Sequence, residues 1–184
     1  MTGRVKDLVI VAGRKLHAED IEATIHEMAD DRLRHGSNAV FAADSRQVDG
    51  LRSETKIRQF SLTIDEPPNL GGSDSGPNPV ELVLAALATC QEITYRLHAD
   101  HLGIPLDGVA VTLEGDIDLR GFFAVDEEVR PGFRAIRGIV TLTSSAPESD
   151  LDRLKAHVDS HCPVLDLVSH ETPLDLERRT LVPA

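Results

Sequence analysis

The feature that most constrains this fold is a helical segment whose side chains are apolar on almost every side. Residues 82–88 read Leu-Val-Leu-Ala-Ala-Leu-Ala, and they follow a segment, residues 65–77, that is dense in Gly, Pro and Ser. Such a dense set of turn formers predicts a loop. A helix that is apolar all round in a water-soluble protein is normally covered by other elements. We therefore expect a buried helix directly after a long loop.

The bounds of this helix are indicated by its flanking residues. Asn78 is a good N-cap, Pro79 suits the first helical position, and Glu81 lies three residues beyond the cap, which resembles a capping box. The pattern continues through Cys90 to about His101, where Gly103 ends it. The sequence thus predicts a helix from Pro79 to about His101.

The rest of the chain alternates between strand and helix patterns. Period-two alternation and β-branched residues predict strands at residues 40–43, 54–65, 109–119, 136–142 and 172–177, with a hairpin turn at Asp49-Gly50. Helical spacing predicts helices over residues 18–35, after a Ser149 cap, and after Cys162 with Pro163 at the first position. In the strand at 54–65, Arg58 falls on the apolar face with Phe60. This order of elements is typical of an α+β fold.

Length and charge exclude several function classes. A chain of 184 residues builds one well-buried core, and its net charge of −12 repels phosphate backbones and anionic membranes. No apolar run reaches the roughly 18 residues that cross a bilayer. We therefore expect a cytoplasmic protein with no nucleic-acid and no membrane partner. In a reducing compartment its two cysteines would act as reactive thiols rather than as a permanent disulfide.

Local sequence alone leaves the roles of the two cysteines open. Cys162 precedes Pro163 at a predicted helix N-terminus, where the helix dipole stabilises a thiolate. Cys90 lies in the apolar helix, where burial raises a thiol pKa unless a cation is near. Both could equally be small core side chains, because free cysteines are often buried.

Two motifs resemble those of the OsmC/Ohr family. The first comprises Asp65-Glu66-Pro67, Leu70-Gly71-Gly72, Gly76-Pro77-Asn78-Pro79-Val80-Glu81-Leu82 and Ala85-Ala86-Leu87-Ala88-Thr89-Cys90. The second is His161-Cys162-Pro163-Val164, 72 residues (162 − 90) after the first cysteine. The resemblance implies two curved antiparallel sheets around two central helices, built as an intertwined homodimer. It covers an OsmC-like domain, which we assign to residues 38–184, after an N-terminal extension (residues 1–37) that carries the amphipathic helix.

The resemblance also implies a mechanism that uses thiols and neither a cofactor nor a metal. Cys90 would attack a hydroperoxide as a thiolate and become a sulfenic acid, and Cys162 would condense with it to a disulfide that an external dithiol reduces. Family members place an Arg and a Glu beside the attacking sulfur. Arg58 is the first candidate for the arginine and Arg46 the second, and a surface strand arginine is the alternative reading.

Glu81 is the candidate acid, although it lies nine residues before Cys90. Nine residues of helix rotate by about 900° and rise by about 13.5 Å, which puts the two side chains on opposite faces. A Glu81 that acts on Cys90 would thus come from the partner subunit, and the alternative is a helix cap. For His98, His101 and His161, solvated surface positions are favoured over a metal site.

Two other functions share these features. The fold could serve as a non-catalytic module whose apolar cleft binds a small hydrophobic ligand, or the thiol pair could act as a redox sensor. For a peroxidase, the apolar helix and Phe122, Phe123 and Phe133 predict a preference for organic hydroperoxides, because each buried methylene contributes about 0.8 kcal/mol.

Overall fold

The computed structural model describes residues 9–11, 14–16 and 39–180, and it is an α+β structure with antiparallel sheets. The chain divides into two compact units, residues 1–82 and 83–184. The helix predicted over residues 18–35 lies outside the described residues. The α+β class predicted from the element order is confirmed.

Among its described residues, the first unit has five strands in two antiparallel sheets. They are β1 (Val9–Val11) paired with β2 (Arg14–Leu16), and β3 (Asp44–Asp49), β4 (Arg52–Ile57) and β5 (Phe60–Ile64) in the order β3-β4-β5. The predicted turn at Asp49-Gly50 is confirmed as the β3–β4 hairpin, in which Gly50 takes a φ of 52°. The predicted strand at residues 40–43 is wrong, since these residues have no regular secondary structure and β3 begins only at Asp44.

A tight turn divides the strand that the sequence predicts over residues 54–65. Ile57 pairs with Phe60, so that the chain reverses at Arg58 and Gln59. Arg58 has a φ of 56° and is exposed. Its predicted place on the apolar face of a strand is therefore wrong. The alternation of apolar residues continues across the turn, and neither turn residue is a Gly, Asn or Pro that would have indicated it.

The loop that follows β5 is organised around one buried carboxylate. Asp65 is 1% exposed and accepts hydrogen bonds from the N–H groups of Glu66, Ser73 and Ser75 and from the Ser73 hydroxyl. A short 3-10 helix spans Pro68–Leu70. At Gly72 a Cβ would lie 1.8 Å from the Glu66 carbonyl oxygen, so only glycine fits there.

The second unit is built mainly from helices and a long hairpin. The helix α1 (Pro79–Leu102) continues into it from the first unit and is followed by β6 (Gly108–Ile117), α2 (Leu119–Phe122), β7 (Phe133–Thr143), α3 (Glu148–Asp159) and α4 (Pro163–Ser169). The strands β6 and β7 are antiparallel along their whole length. The buried core of this unit comprises Tyr95, Ala99, Ile104, Leu106, Leu154 and Val158.

Two further expectations differ from the structure of this unit. Helix α3 begins at Glu148 with Pro147 as its N-cap, so Ser149 lies inside the first turn and does not cap it. The strand predicted at residues 172–177 is absent, because no described strand pairs with that segment. Within the described part of the chain, no helix is long and apolar enough to span a membrane.

Candidate active site

The two cysteines of the chain face each other in the second unit. Their Sγ atoms are 3.4 Å apart, although 72 residues separate them in the sequence. Both are free thiols. A disulfide requires an S–S distance of about 2.05 Å. The sulfurs must therefore approach by roughly 1.4 Å to form one, a movement within the reach of side-chain rotation.

Helix termini and backbone bonds hold Cys162 in place. It is the N-cap of α4, its N–H donates to the Val158 carbonyl at 2.9 Å, and its carbonyl accepts from the Asp166 N–H at 3.0 Å. Pro163 occupies the first helical position, as the sequence predicts. Cys162 is 1% exposed, whereas Cys90, in the middle of α1, is only half-buried. Cys90 is thus the more accessible of the two thiols.

The surroundings of Cys90 act on its ionisation in both directions. Burial raises the pKa of the Cys90 thiol, and the adjacent Cys162 raises it further. The Val164 N–H and the Thr94 hydroxyl oppose this rise and lower the pKa of Cys90 by favouring the thiolate. The Thr94 hydroxyl itself donates to the Cys90 carbonyl oxygen at 2.6 Å. From the sequence, the first turn of α4 was predicted to act on Cys162, whereas the Val164 N–H in that turn lowers the pKa of the Cys90 thiol. Neither Thr94 nor Val164 was identified from the sequence, although the spacing of four residues places Thr94 one turn beyond Cys90.

Glu81 acts as a helix cap in the structure. Its carboxylate accepts from the Asn78 N–H at 2.8 Å, and its own N–H donates to the Asn78 Oδ1 at 2.9 Å. This reciprocal pair confirms the predicted capping box. Glu81 is exposed and belongs to the first unit, whereas Cys90 belongs to the second.

The two candidate arginines also belong to the first unit. The Arg58 guanidinium lies 5.2 Å from the centre of the Phe60 ring, in a cation–π contact at the tip of the β4–β5 hairpin. Arg46 lies on β3 opposite Glu54 and is exposed. The sequence-predicted set is thus divided: the structure brings Cys90 and Cys162 together, and it places Glu81, Arg58 and Arg46 in the other unit.

Three histidines form a cluster between α1 and the C-terminal end of α3. His98 Nδ1 lies 3.1 Å from His157 Nε2, and the His157 and His161 rings stack with centroids 4.1 Å apart. The predicted solvated surface position is wrong for the half-buried His98, whereas His161 and His101 are exposed. His157 was not identified from the sequence. Burial lowers the pKa of His98 and of His157, and their histidine neighbours lower both further. Among the described residues, no group of three or more His, Cys, Asp or Glu is arranged to hold a metal ion.

A large groove lies elsewhere in the second unit. It has a volume of about 990 Å³ and is lined by one stripe of α1, by β6 and β7, and by residues of α3 and α4. Phe133 lines this groove, but Cys90 and Cys162 do not. The Gln91 side chain, 6% exposed, also lines it, and its Nε2 has no hydrogen-bond partner in the described chain.

The antiparallel α+β fold and the two apposed free thiols place the chain among small two-thiol proteins. Comparisons with known proteins identify its family. The family model of the OsmC-like protein matches residues 72–177, which is more than half of the chain. The chain belongs to the OsmC-like family. Among curated proteins, none matches the sequence significantly.

Solved structures share the fold at low sequence identity. An OsmC-like protein from Mycoplasma pneumoniae superposes with a TM-score of 0.63 at 18% identity, over 72% of this chain and 89% of that chain. An organic hydroperoxide resistance protein OsmC from Legionella pneumophila gives 0.57 at 20% identity, over 72% and 91%. An organic hydroperoxide resistance protein from Elizabethkingia anophelis gives 0.56 at 19% identity, over 71% and 88%.

Proposed function

We propose that this chain reduces organic hydroperoxides with its thiol pair, as a stress-protective peroxidase. The observation that carries the proposal is the 3.4 Å separation of a half-buried Cys90 Sγ and a fully buried Cys162 Sγ. An accessible thiol next to a protected one suits an attacking and a resolving cysteine, respectively. Fold relatives described as organic hydroperoxide resistance proteins support the substrate class.

The proposed reaction balances with one external reductant. The Cys90 thiolate attacks the terminal oxygen of ROOH, the O–O bond breaks, and the products are Cys90 sulfenic acid and an alkoxide that takes up a proton to become ROH. The Cys162 thiol then attacks the sulfenic sulfur, forming the disulfide and releasing water. A dithiol reductant exchanges with this disulfide, becomes oxidised itself and restores both thiols.

We further propose that the active enzyme is a homodimer in which a charged group from the first unit completes the site. Arg58 remains the first candidate for a cation that favours the Cys90 thiolate, and Arg46 the second. Glu81 remains the candidate acid, with its helix cap as the competing role. Arg58 is exposed at the hairpin tip, where its guanidinium is accessible to a partner chain, and this supports the choice.

The direct test compares wild type with Cys90→Ser and Cys162→Ser. Peroxide consumption is measured as NADPH oxidation coupled through a dithiol reductant, and cysteine oxidation is followed by mass spectrometry. We expect Cys90→Ser to lose turnover, and Cys162→Ser to complete one oxidation and hold a sulfenic acid at Cys90. Turnover of wild-type magnitude in Cys90→Ser would contradict the assignment. Oxidation without repeated turnover in wild type would favour the redox sensor.

Substrate preference follows from the apolar surface around α1. Each methylene that leaves water contributes about 0.8 kcal/mol, so four or five methylenes favour an alkyl hydroperoxide by roughly two orders of magnitude or more. Because this binding is equal in ground and transition states, we expect the difference mainly in KM. The measurement is kcat/KM for cumene hydroperoxide against hydrogen peroxide. Faster use of hydrogen peroxide would contradict the preference.

The groove in the second unit favours a second candidate function, the binding of a small hydrophobic ligand. Its lining combines apolar side chains, among them Val83, Leu87, Val111 and Leu142, with charged residues of β7 and α3 and with the buried Gln91 amide, whose Nε2 has no hydrogen-bond partner in the described chain. Such a combination is typical of small-molecule sites. Native mass spectrometry of the purified protein tests this candidate by showing whether a lipid-sized molecule is retained.

A further inference from the structure

One stripe of α1 runs along the groove of the second unit and changes from apolar to polar. Four residues of this stripe line the groove at a spacing of four, and they are Val83, Leu87, Gln91 and Tyr95. Residues four apart lie on the same face of a helix. Val83 lies about 12 Å along the helix axis from Gln91, and Tyr95 lies about 6 Å beyond Gln91. The stripe therefore has an apolar part followed by a polar part.

The polar part of the stripe contains a hydrogen-bond donor that the described chain leaves unused. Gln91 is 6% exposed, and its Nε2 has no hydrogen-bond partner in the described chain. A buried donor without a partner is costly, because it has lost its bonds to water. The terminal torsion of a glutamine side chain is broad, so rotation about it directs Nε2 into the groove. An oxygen atom of a bound molecule would supply the missing acceptor.

The wall of the groove that α3 forms is acidic. Its charged lining residues are the carboxylates of Glu148, Asp152 and Asp159 and the ammonium group of Lys155. Lys155 pairs with Asp159, so its charge is already neutralised. Burial, together with the negative charge of Asp159, raises the pKa of Tyr95 to about 12. The polar part of the stripe thus lies near a carboxylate, which disfavours an anionic ligand there.

The arginines of the groove do not supply a free cation beside Gln91. Arg137 and Arg134 are paired with acidic residues at or just beyond β6. Arg130 lies before the start of β7, whereas the core that contains Tyr95 packs against Val140, about 23 Å along that strand from its first residue. The polar part of the stripe therefore offers a neutral donor to a ligand.

We propose that this groove binds an uncharged amphipathic molecule, with a head-group oxygen on the Gln91 amide and an alkyl chain along Leu87 and Val83. This inference rests on the second candidate function, the binding of a small hydrophobic ligand, and adds the class of head group. Val111 and Leu113 of β6 also line the groove and would contact the alkyl chain. The volume of about 990 Å³ lies within the range of small-molecule sites.

The single tyrosine of the chain reports binding at this site directly. The sequence contains one tyrosine and no tryptophan, so tyrosine fluorescence comes from Tyr95 in the groove. Titration with 1-decanol at pH 7.5 should change this fluorescence in a saturable way. We expect the affinity to fall roughly fourfold for each methylene removed towards 1-hexanol. Decanoate should bind about tenfold more weakly than 1-decanol or worse, because its buried charge would have no partner.

Gln91→Leu removes the donor at similar side-chain volume, and Gln59→Leu is its matched control on the exposed β4–β5 turn. Loss of a neutral hydrogen bond should weaken 1-decanol binding about threefold to tenfold in Gln91→Leu. Gln59→Leu should bind 1-decanol as wild type does. Val111→Phe narrows the groove and should also weaken binding, which provides a second measurement if Gln91→Leu does not fold. Circular dichroism identifies the variants that fold.

The outcomes separate this inference from both candidate functions. The absence of a saturable response to 1-decanol, or equal affinity in folded Gln91→Leu and wild type, would overturn the inference. Tighter binding of decanoate than of 1-decanol would overturn the uncharged head group, although the second candidate function would stand. If 1-decanol does not bind and Gln91→Leu shifts the sedimentation coefficient, a second copy of the chain covers the groove instead. No measurement uses a peroxide, so each result is independent of turnover by the thiol pair.

Discussion

At the scale of single residues, Asp65 shows how one buried charge organises a segment that the sequence describes only as a loop. Burial alone raises the pKa of this carboxyl, but hydrogen bonds from Ser75, Glu66 and Ser73 outweigh burial and bring the pKa to about 2. The bonds reach up to ten residues along the chain. They fold the loop back on itself just before the Asn78 cap of α1.

Asp65→Asn should destabilise the protein most strongly at neutral pH. A group whose folded-state pKa is depressed contributes stability above its unfolded pKa of 3.8, and this contribution is lost as the pH falls towards about 2. The wild type should thus lose stability between about pH 4 and pH 2, and Asp65→Asn should lose less in that window. Urea unfolding across the pH range measures both effects.

The matched control for this change is Asp74→Asn in the same loop. Asp74 is exposed and has a φ of 56°, a conformation that Asn tolerates well. The control makes the same change of charge and should leave stability close to wild type. If both variants behave alike, net charge rather than the buried hydrogen bonds of Asp65 sets the effect.

At the scale of elements, the histidine cluster joins α1, which carries Cys90, to the end of α3, which leads into Cys162. His161 Nδ1 lies 2.7 Å from the His157 carbonyl oxygen, so the cluster is tied to the α3 backbone. The exposed His101 on α1 lowers the pKa of both His98 and His157, and Lys155 and Asp159 on α3 pair with each other. Protonation would therefore place like charges between the two helices that carry the thiols.

Acidification below about pH 6.5 should weaken the packing of α1 against α3. The folded-state pKa values of His98 and His157 lie below the ordinary 6.5, so the unfolded chain takes up protons first. Stability is then fully present above 6.5 and falls as the pH drops through the histidine range. His98→Gln should reduce this fall, as measured by urea unfolding at pH 7.5 and 5.5.

His170→Gln is the control for this histidine effect, because His170 lies outside the cluster and pairs with Asp166 on the surface. On acidification, the His170→Gln variant should lose as much stability as the wild type does. An unchanged fall in His98→Gln would show that the cluster does not account for the pH dependence. Proton NMR of the imidazoles would give the individual titrations.

At the scale of the whole molecule, a single chain leaves much apolar surface uncovered. Helix α1 was expected to be buried, but Ile93 on it is 67% exposed, and Val83 and Leu97 are also exposed. Ile139 on β7 is exposed as well. Exposed apolar patches of this kind typically mark a binding surface. We therefore retain the homodimer as a proposal in which a second chain covers this helix.

Ile93→Glu should weaken such a dimer strongly. Burial of an isoleucine is worth about 1.5–3 kcal/mol, and a two-fold interface contains the residue twice, so the loss is roughly 3–6 kcal/mol, or more than two orders of magnitude in Kd. Sedimentation velocity at micromolar concentration measures the shift from dimer to monomer. A wild type that is already a stable monomer at this concentration would contradict the proposal.

Val125→Glu is a matched control for Ile93→Glu. Val125 is exposed and lies between α2 and β7 rather than on α1. The substitution makes the same apolar-to-acidic change and should leave the dimer intact. Dissociation by both variants would indicate a general effect of charge, since the chain is already strongly acidic.

The sequence by itself determined the elements whose signals are local. The Asn78–Glu81 capping box, the Pro163 start of α4 and the Gly50 turn each depend on bonds within a few residues, so residue type and spacing are sufficient. Long strands such as β6 are predicted by the alternation of apolar and polar residues, which arises because one face of the sheet contacts water. The α+β class then follows from the order of these elements.

Only the tertiary structure decided which groups surround the thiols. The Val164 N–H on α4 lowers the pKa of the Cys90 thiol on α1, and His98 contacts His157 across 59 residues, because helices distant in sequence pack together. The turn at Arg58 was not predicted from the sequence for a related reason. The pairing of Ile57 with Phe60 stabilises this turn, although its own residues do not indicate one. Contacts between distant segments set these positions, and a pattern read along one segment does not contain them.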